Sequence, residues 1–244
     1  MKERAHSKFS ASGAERWFNC PGSVALSEGL PDTSSAAAEE GTAAHSVVEN
    51  YLKSARAYKS VNYSSTICQN KEMRNYGFQA AKFIFGVHTE LPESELHCER
   101  KVYLDFIHKD MFGTLDSSVA DPFVMLNIFD YKFGTHVVSA RRNLQLIFYA
   151  IAVAQEYHWN FKRVRLWIVQ PRARGYDGPT YWELSIDELF DYVKEFRDAV
   201  KRVETKSKTY KEGDWCYFCR ARTICPLKTR KQQNLIGGML DVST

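Results

Sequence analysis

Apolar positions along this chain recur with two periods, one helical and one extended. Residues 14–18 form a short helical stretch, broken by Cys20-Pro21-Gly22. From Ser34 or Ser35 to about Ser54 the spacing predicts a helix. The serines can cap it, and Glu39 and Glu40 fall in its early turns, where the helix dipole favours acids. Gly41 inside that pattern costs helix stability and implies close packing or a local break. A Ser/Tyr/Asn-rich loop at 58–66 leads to a second helix over 71–86, with Tyr76, Ala80, Phe83 and Ile84 on one side.

The period then changes. Glu99–Phe106 alternates, with Val102, Leu104 and Phe106 on one side, and predicts a half-buried strand. Gly113–Asp121 and Phe123–Phe133 follow as strands, the last the most apolar and so the most buried. Helical spacing returns over 141–158, with Leu144, Phe148, Ile151 and Ala152 on one face. Val164–Gln170 reads as a strand stopped by Pro171, and Thr180–Leu184 as another candidate. Ser185 then caps a helix to about Thr205, with Glu188 completing a capping box. The tail at 208–231 has little periodicity, and no repeat is evident. The order predicts a mixed α/β core, with an antiparallel meander leading into a helical crossover.

Composition narrows the class. The chain has 244 residues, with 44% hydrophobic and 25% charged, ordinary globular usage that excludes a disordered, collagen-like or coiled-coil chain. No apolar run is long enough to span a membrane, and the charged start Met1-Lys-Glu-Arg lacks the apolar core of a secretory signal. A cytosolic location is expected, with six cysteines that are not structural disulfides. The net charge of +4 is uneven. Residues 194–231 carry twelve Lys/Arg and five Asp/Glu, a balance of +7, which leaves −3 for the remainder. A basic C-terminal end suits a polyanionic partner, with nucleic acid foremost; the alternative is a solvated, lysine-biased helix face.

Three of the cysteines fall within ten positions, Cys216-Tyr-Phe-Cys219 and Cys225. That is a metal-site spacing. Cys20 is the expected fourth ligand, because it precedes a proline in a turn, as Cys225 does. Cys98 begins a strand pattern and reads as a small buried hydrophobe; Cys68 stays undecided. Four thiolates suit zinc or an iron–sulfur cluster, and spacing alone does not choose. Such a site would join the two ends of the chain and count as folding free energy.

A second constellation is acidic and basic. Gly113-Thr-Leu-Asp116 and Asp130-Tyr131-Lys132 lie on successive strands, and Asp130 and Lys132, two apart, share a face. A hairpin would bring Asp116 beside them. Two close carboxylates repel unless a cation lies between them, which points to Mg²⁺ or Mn²⁺. A lysine beside the metal can act on a water and on phosphate charge. The alternative, turn or edge acids in surface salt bridges, has to explain an acid inside the apolar run 125–133, where burial is costly. His45 with Glu49, and Gln145 with Tyr149, are i, i+4 pairs on their helices; each could equally be a satisfied polar patch.

Taken together, these residues resemble the RecB-type branch of the PD-(D/E)XK nuclease superfamily. Within it they look most like iron–sulfur exonucleases related to the CRISPR-adaptation nuclease, in a form often carried by phages. Gly41-Thr-Ala-Ala-His45 resembles the family's histidine motif, Gly113-Thr-Leu-Asp116 its GxxD motif and Asp130-Tyr-Lys132 its (D/E)xK motif. Gln145-Leu-Ile-Phe-Tyr149 resembles its QxxxY motif, and Cys20 with Cys216, Cys219 and Cys225 its one-plus-three cysteine pattern. The resemblance spans about residues 10–230, with Asp130 where Glu is frequent; residues 55–97 match no motif.

The resemblance implies a restriction-endonuclease-like core, a central mixed sheet flanked by helices. It implies one nuclease domain over 1–244: an N-terminal helical part at 10–95, the α/β core at 96–205 and a cysteine segment at 206–231. It implies metal-dependent hydrolysis of DNA, exonucleolytic and at single-stranded or free ends, in the cytoplasm of a bacterium or phage-infected host. His45, Asp116, Asp130 and the Tyr131 carbonyl would hold Mg²⁺ or Mn²⁺, and Lys132 would position the attacking water. Gln145 and Tyr149 would contact the DNA backbone or steady Lys132. The four cysteines would hold a structural [4Fe–4S] cluster. A recombination or CRISPR-adaptation protein fits as a partner. Arg141, Arg142, Lys201 and Arg202 are candidate phosphate contacts. The competing classes are a non-catalytic nucleic-acid binding or assembly protein on the same fold, and a zinc-bearing interaction module.

Overall fold

In the computed structural model, which describes residues 7–31, 36–58, 70–206 and 208–228, five strands form one mixed sheet in chain order. They are β1 Glu95–Tyr103, β2 Phe112–Asp121, β3 Met125–Tyr131, β4 Arg163–Val169 and β5 Thr180–Ser185. β1, β2 and β3 form an antiparallel meander, β3 and β4 run parallel, and β5 returns antiparallel to β4. The helices are α1 Ala14–Asn19, α2 Gly22–Leu26, α3 Ala36–Tyr58, α4 Lys71–Thr89, α5 Leu144–Glu156 and α6 Ile186–Thr205. A parallel pair needs a crossover, and α5 supplies it between β3 and β4.

Each face of the sheet buries its own apolar set. On one side Leu126, Ile128, Leu166 and Ile168 pack with α1, the wholly apolar face of α5 and the Leu189/Val193/Phe196 stripe of α6. On the other, Phe129, Tyr131 and Trp167 meet Val47, Tyr51 and Ile84 of α3 and α4. The central strand β3 is therefore buried on both faces, as its unbroken apolar run implied. No helix among the described residues is long and apolar enough to cross a membrane.

Element ends differ from the sequence pattern for local reasons. β1 begins at Glu95 and stops at Tyr103. Leu104 closes a turn, its N–H bonded to Met111 O at 2.9 Å, so Phe106 lies beyond the strand. Phe123 is not in a strand but in the β2–β3 turn, at φ 68°. α5 is shorter than 141–158. Arg142 is left-handed at φ 55°, and the Asn143 side chain caps the helix by accepting from Gln145 N at 3.0 Å and Leu146 N at 3.1 Å. His158 and Trp159, at φ 54° and 62°, end its far side. Gly41 stays within α3, and nothing lies within 4 Å of where its Cβ would be, so neither a break nor packing accounts for it. Ser34, Ser35, Cys68 and residues 59–66 of the loop expected at 58–66 lie outside the described residues.

Residues 16–22 and 202–218 meet beside α1. Pro21 and Gly22, which read as a break, instead open the short helix α2. Gly22 N–H donates to Thr209 O at 2.8 Å, and a Cβ at Gly22 would lie 2.5 Å from the Tyr210 ring, so only glycine lets these segments close. Arg202 donates to Phe18 O at 3.2 Å, and Arg16 to Phe218 O at 3.4 Å.

The capping box at Ser185 is present in both directions: Glu188 N to Ser185 Oγ at 3.2 Å, and Ser185 N to Glu188 Oε2 at 2.7 Å. Ser185→Ala should cost about 1 kcal/mol. Urea denaturation should show the lower midpoint with an unchanged slope.

Candidate metal centre and cysteine cavity

The end of β3 and the middle of β2 bring the acidic residues together. Asp130 has no exposed surface, and both its oxygens face the Lys132 ammonium, Oδ1 at 2.9 Å and Oδ2 at 2.8 Å. Lys132 Nζ also donates to Gln145 Oε1 at 3.2 Å. Gln145 occupies the first turn of α5 because Asn143 caps it there, and Tyr149 follows one turn later on the same face. Burial, reinforced by Asp116 and Asp130, keeps the Tyr149 phenol protonated, and Gln145 lies within its hydrogen-bonding reach. Gly113 of the GxxD segment makes room for this: a Cβ there would lie 2.9 Å from Ala11 Cβ and 3.2 Å from Tyr149 Cε1.

Asp116 sits on the neighbouring strand. Its Oδ2 accepts from Tyr131 N at 2.8 Å and stands 3.3 Å from His45 Nδ1. The same imidazole nitrogen is 3.5 Å from Glu99 Oε1. His45, Glu99 and Asp116 offer ligand atoms that all lie within 4.8 Å of one another, so this group could hold a metal ion. Seven residues singled out in the sequence, His45, Asp116, Asp130, Tyr131, Lys132, Gln145 and Tyr149, therefore meet at one place; Glu49 lines the same pocket as His45, Glu99 and Asp116, with its carboxylate paired to Lys53 at 2.6 Å.

The electrostatics follow from burial. Burial presses the Asp130 carboxyl above its ordinary range, against the pull of Lys132. Burial alone would discharge Lys132, yet Asp130 and Asp116 outweigh it and hold the ammonium above its ordinary value. At His45 burial also opposes charge, but Asp116, Glu99 and Asp130 overcome it and push the imidazole up to about 10. A cation therefore stands beside each aspartate, His45 beside Asp116 and Lys132 beside Asp130.

Glu99 was absent from the sequence-derived site. Its signal lies in the backbone. Leu96, Val102 and Leu104 are even-numbered, so a regular strand would put all three on one face. Leu96 instead packs under α3 and α4, while Val102 and Leu104 pack on the α5 side. Leu115 and Val119 of β2 divide in the same way. Glu99, at φ 44°, stands at this changeover, across the ladder from Asp116. A left-handed non-glycine residue stores strain of order 1–3 kcal/mol, and such positions concentrate at functional sites.

The cysteines form a second site. Cys20, Cys216, Cys219 and Cys225 all line one cavity of about 460 Å³, together with Arg16, His136 and Lys211. Cys20 Sγ accepts from Lys211 N at 3.4 Å, and burial holds the Cys20 thiol above its ordinary range. Cys98 lies apart in β1, half-buried, as its strand position implied. Of the basic residues expected at phosphate, Arg141 and Arg142 are exposed just before α5. Lys201 is exposed on α6, but Arg202 spends its guanidinium on the Phe18 carbonyl and ring.

A family model described as "Protein of unknown function (DUF2800)" matches residues 6–242. The chain belongs to that family. Three solved structures resemble this DUF2800 chain. One is named SSO0001, at 12% identity and TM-score 0.40, covering 93% of this chain and 88% of the other. A second is named as a candidate exonuclease from Eubacterium rectale, at 12% identity and TM-score 0.47, covering 90% and 92%. A third is an alkaline exonuclease from Laribacter hongkongensis, at 11% identity and TM-score 0.35, covering 80% and 95%. These scores describe a partial likeness of chain path; the chemistry of the DUF2800 site is carried by its own side chains.

Glu99→Gln keeps the shape and hydrogen bonding of the side chain but removes its charge. Calorimetric titration should find Mn²⁺ bound about 10–100-fold more weakly, a loss typical of disturbed metal surroundings. Unchanged affinity would place Glu99 outside the metal's surroundings.

Proposed function

We propose that this protein is a divalent-metal-dependent deoxyribonuclease that removes nucleotides from single-stranded or free DNA ends. The observation that carries the reading is the convergence on one spot of Asp130, wholly buried, with Asp116, Lys132, Gln145 and His45. A wholly buried carboxylate with a second carboxylate nearby is expensive unless cations serve them. The donor set is oxygen-rich with one imidazole, which suits Mg²⁺ or Mn²⁺.

Asp116, Asp130, His45 and the Tyr131 carbonyl would hold the ion, with Glu99 beside them. When bound, the ion would supply Lewis-acid polarisation of a phosphoryl oxygen and lower the pKa of a water. Lys132, steadied by Gln145, would orient that water for attack on phosphorus and offset charge gathering on the phosphate oxygens. Tyr149, kept protonated, would hold Gln145 in place or donate to a backbone phosphate. His45 binds a metal only as neutral imidazole, so metal and proton compete for it. A binding protein that had given up catalysis would have no need to retain Asp116, Asp130 and Lys132 together.

The four cysteines, which all line a single cavity, would hold a [4Fe–4S] cluster. The cluster would tie α1 to the 209–228 segment and act in folding, not in hydrolysis.

End-labelled single- and double-stranded DNA, digested with Mg²⁺ or Mn²⁺, tests the reading. Wild-type protein should release mononucleotides or short products from an end. Lys132→Ala should slow this by about 10²–10⁴-fold, the usual worth of a positioned proton-transfer group. Its Mn²⁺ affinity should change far less than in Asp130→Asn. Equal loss of metal binding in the two variants would mean that Lys132 has been given the wrong role. Anaerobically purified protein should absorb near ~400 nm through its thiolate-bound iron. Cys219→Ser should bleach that band and lower the melting temperature; zinc in place of iron would remove the cluster from the account.

A further inference from the structure

Tyr217 and Phe218, the two residues inside the Cys216–Cys219 spacing, are the most exposed large hydrophobic side chains among the described residues, at 70% and 76%. They are neighbours and pack edge-to-face on each other, with ring centroids 4.7 Å apart. The backbone beneath them is held. Arg16 donates to Phe218 O at 3.4 Å, and Cys219 N and Tyr217 N bond back to Cys216 O and Asp214 O. Two aromatic rings presented to water on a fixed turn are costly to leave uncovered, and such patches mark contact surfaces.

The surroundings select the occupant. The Arg222 guanidinium lies 5.9 Å from the Tyr217 ring, and Arg220 is exposed on the next turn. Arg16, Lys211 and Lys228 line the adjoining cavity and, with Arg222, outnumber its acids Glu212 and Asp214. His136 lines that cavity too, and it follows Lys132 by four residues on a loop that the buried Gln170 clamps at Gly134 O, His136 O and Val138 N. Aromatic faces set among cations, joined by a pinned loop to the metal centre, match single-stranded nucleic acid. Its unstacked bases need a π-face, and its phosphates need guanidinium or ammonium groups.

We propose that Tyr217 and Phe218 form a stacking platform for bases of a single DNA strand, with Arg222 on the neighbouring phosphate. The proposal rests on the nuclease reading for the identity of the ligand, and it names the part of the strand held away from the acidic centre. Duplex DNA, whose bases are already stacked on each other, gains nothing from such a platform.

The test is fluorescence anisotropy of full-length protein with a 5′-labelled single-stranded 20-mer, and with the same sequence as duplex, both in EDTA so that nothing is cut. Tyr217→Ala/Phe218→Ala should weaken single-strand binding by at least about tenfold, from lost stacking, with an unchanged slope against salt. Arg222→Gln should instead reduce that slope by about 0.7. Tyr217→Trp/Phe218→Trp should restore affinity. If the alanine pair disturbs the cysteine site, Tyr217→Leu/Phe218→Leu, with metal content matched to wild type, should show the same tenfold loss. Unchanged single-strand affinity in that matched variant, or an equal loss on the duplex, overturns the platform and leaves the patch to a protein partner. Failure of wild-type protein to cut any DNA would sink the nuclease reading instead, whatever the binding curves show.

Discussion

A carboxylate with no exposed surface requires a positive charge within reach, and at Asp130 that charge is the Lys132 ammonium two residues on, just past the end of β3. Much of the molecule follows from keeping this pair in place. β3 must be flanked by β2 and β4 and covered on both faces, so the chain needs the α5 crossover on one side and α3 with α4 on the other. α5 must begin at Asn143, because only then does Gln145 reach Lys132. The adjacent strand must carry glycine at 113, because Ala11 and Tyr149 fill the space of its side chain.

The same constraint explains how the chain itself compensates a cluster of acids. His45 and Lys132 stand in as internal counter-charges, one for each aspartate, and both are held in the charged form by their partners. A divalent ion would take over that compensation, displacing the imidazolium proton and releasing Lys132 toward water and phosphate. On the proposed reading, a site built this way would be primed for reaction only with the ion bound.

Much of the fold could be read from the sequence, because hydrophobic period is a local property. All the predicted helices and strands that fall among the described residues are present, and the capping box at Ser185 was visible as a pair of letters. The errors came from features that local period does not encode. Arg142 and Phe123 adopt left-handed backbone that ends an element early, and α2 forms where Pro21-Gly22 looked like a break. Asp116, Asp130 and Lys132 could be placed together from a shared face and a hairpin, whereas spacing left Gln145 and Tyr149 as an ordinary polar pair that only the motif resemblance joined to the acids. Glu99 was not, since it reaches the site only through a reversal of strand faces that sequence parity contradicts. Arg202 shows the converse, a basic residue that the charge run offered to DNA and the structure commits to Phe18.

The central claim is that the buried Asp130 carboxylate belongs to a metal site whose charge Lys132 and His45 balance until the ion arrives. A crystal of the protein soaked in Mn²⁺ and measured above the manganese absorption edge tests it directly. The account predicts an anomalous peak in contact with Asp116, Asp130 and His45, with the Lys132 ammonium drawn away from Asp130. Manganese found only elsewhere, with the Lys132–Asp130 pair intact, would contradict it.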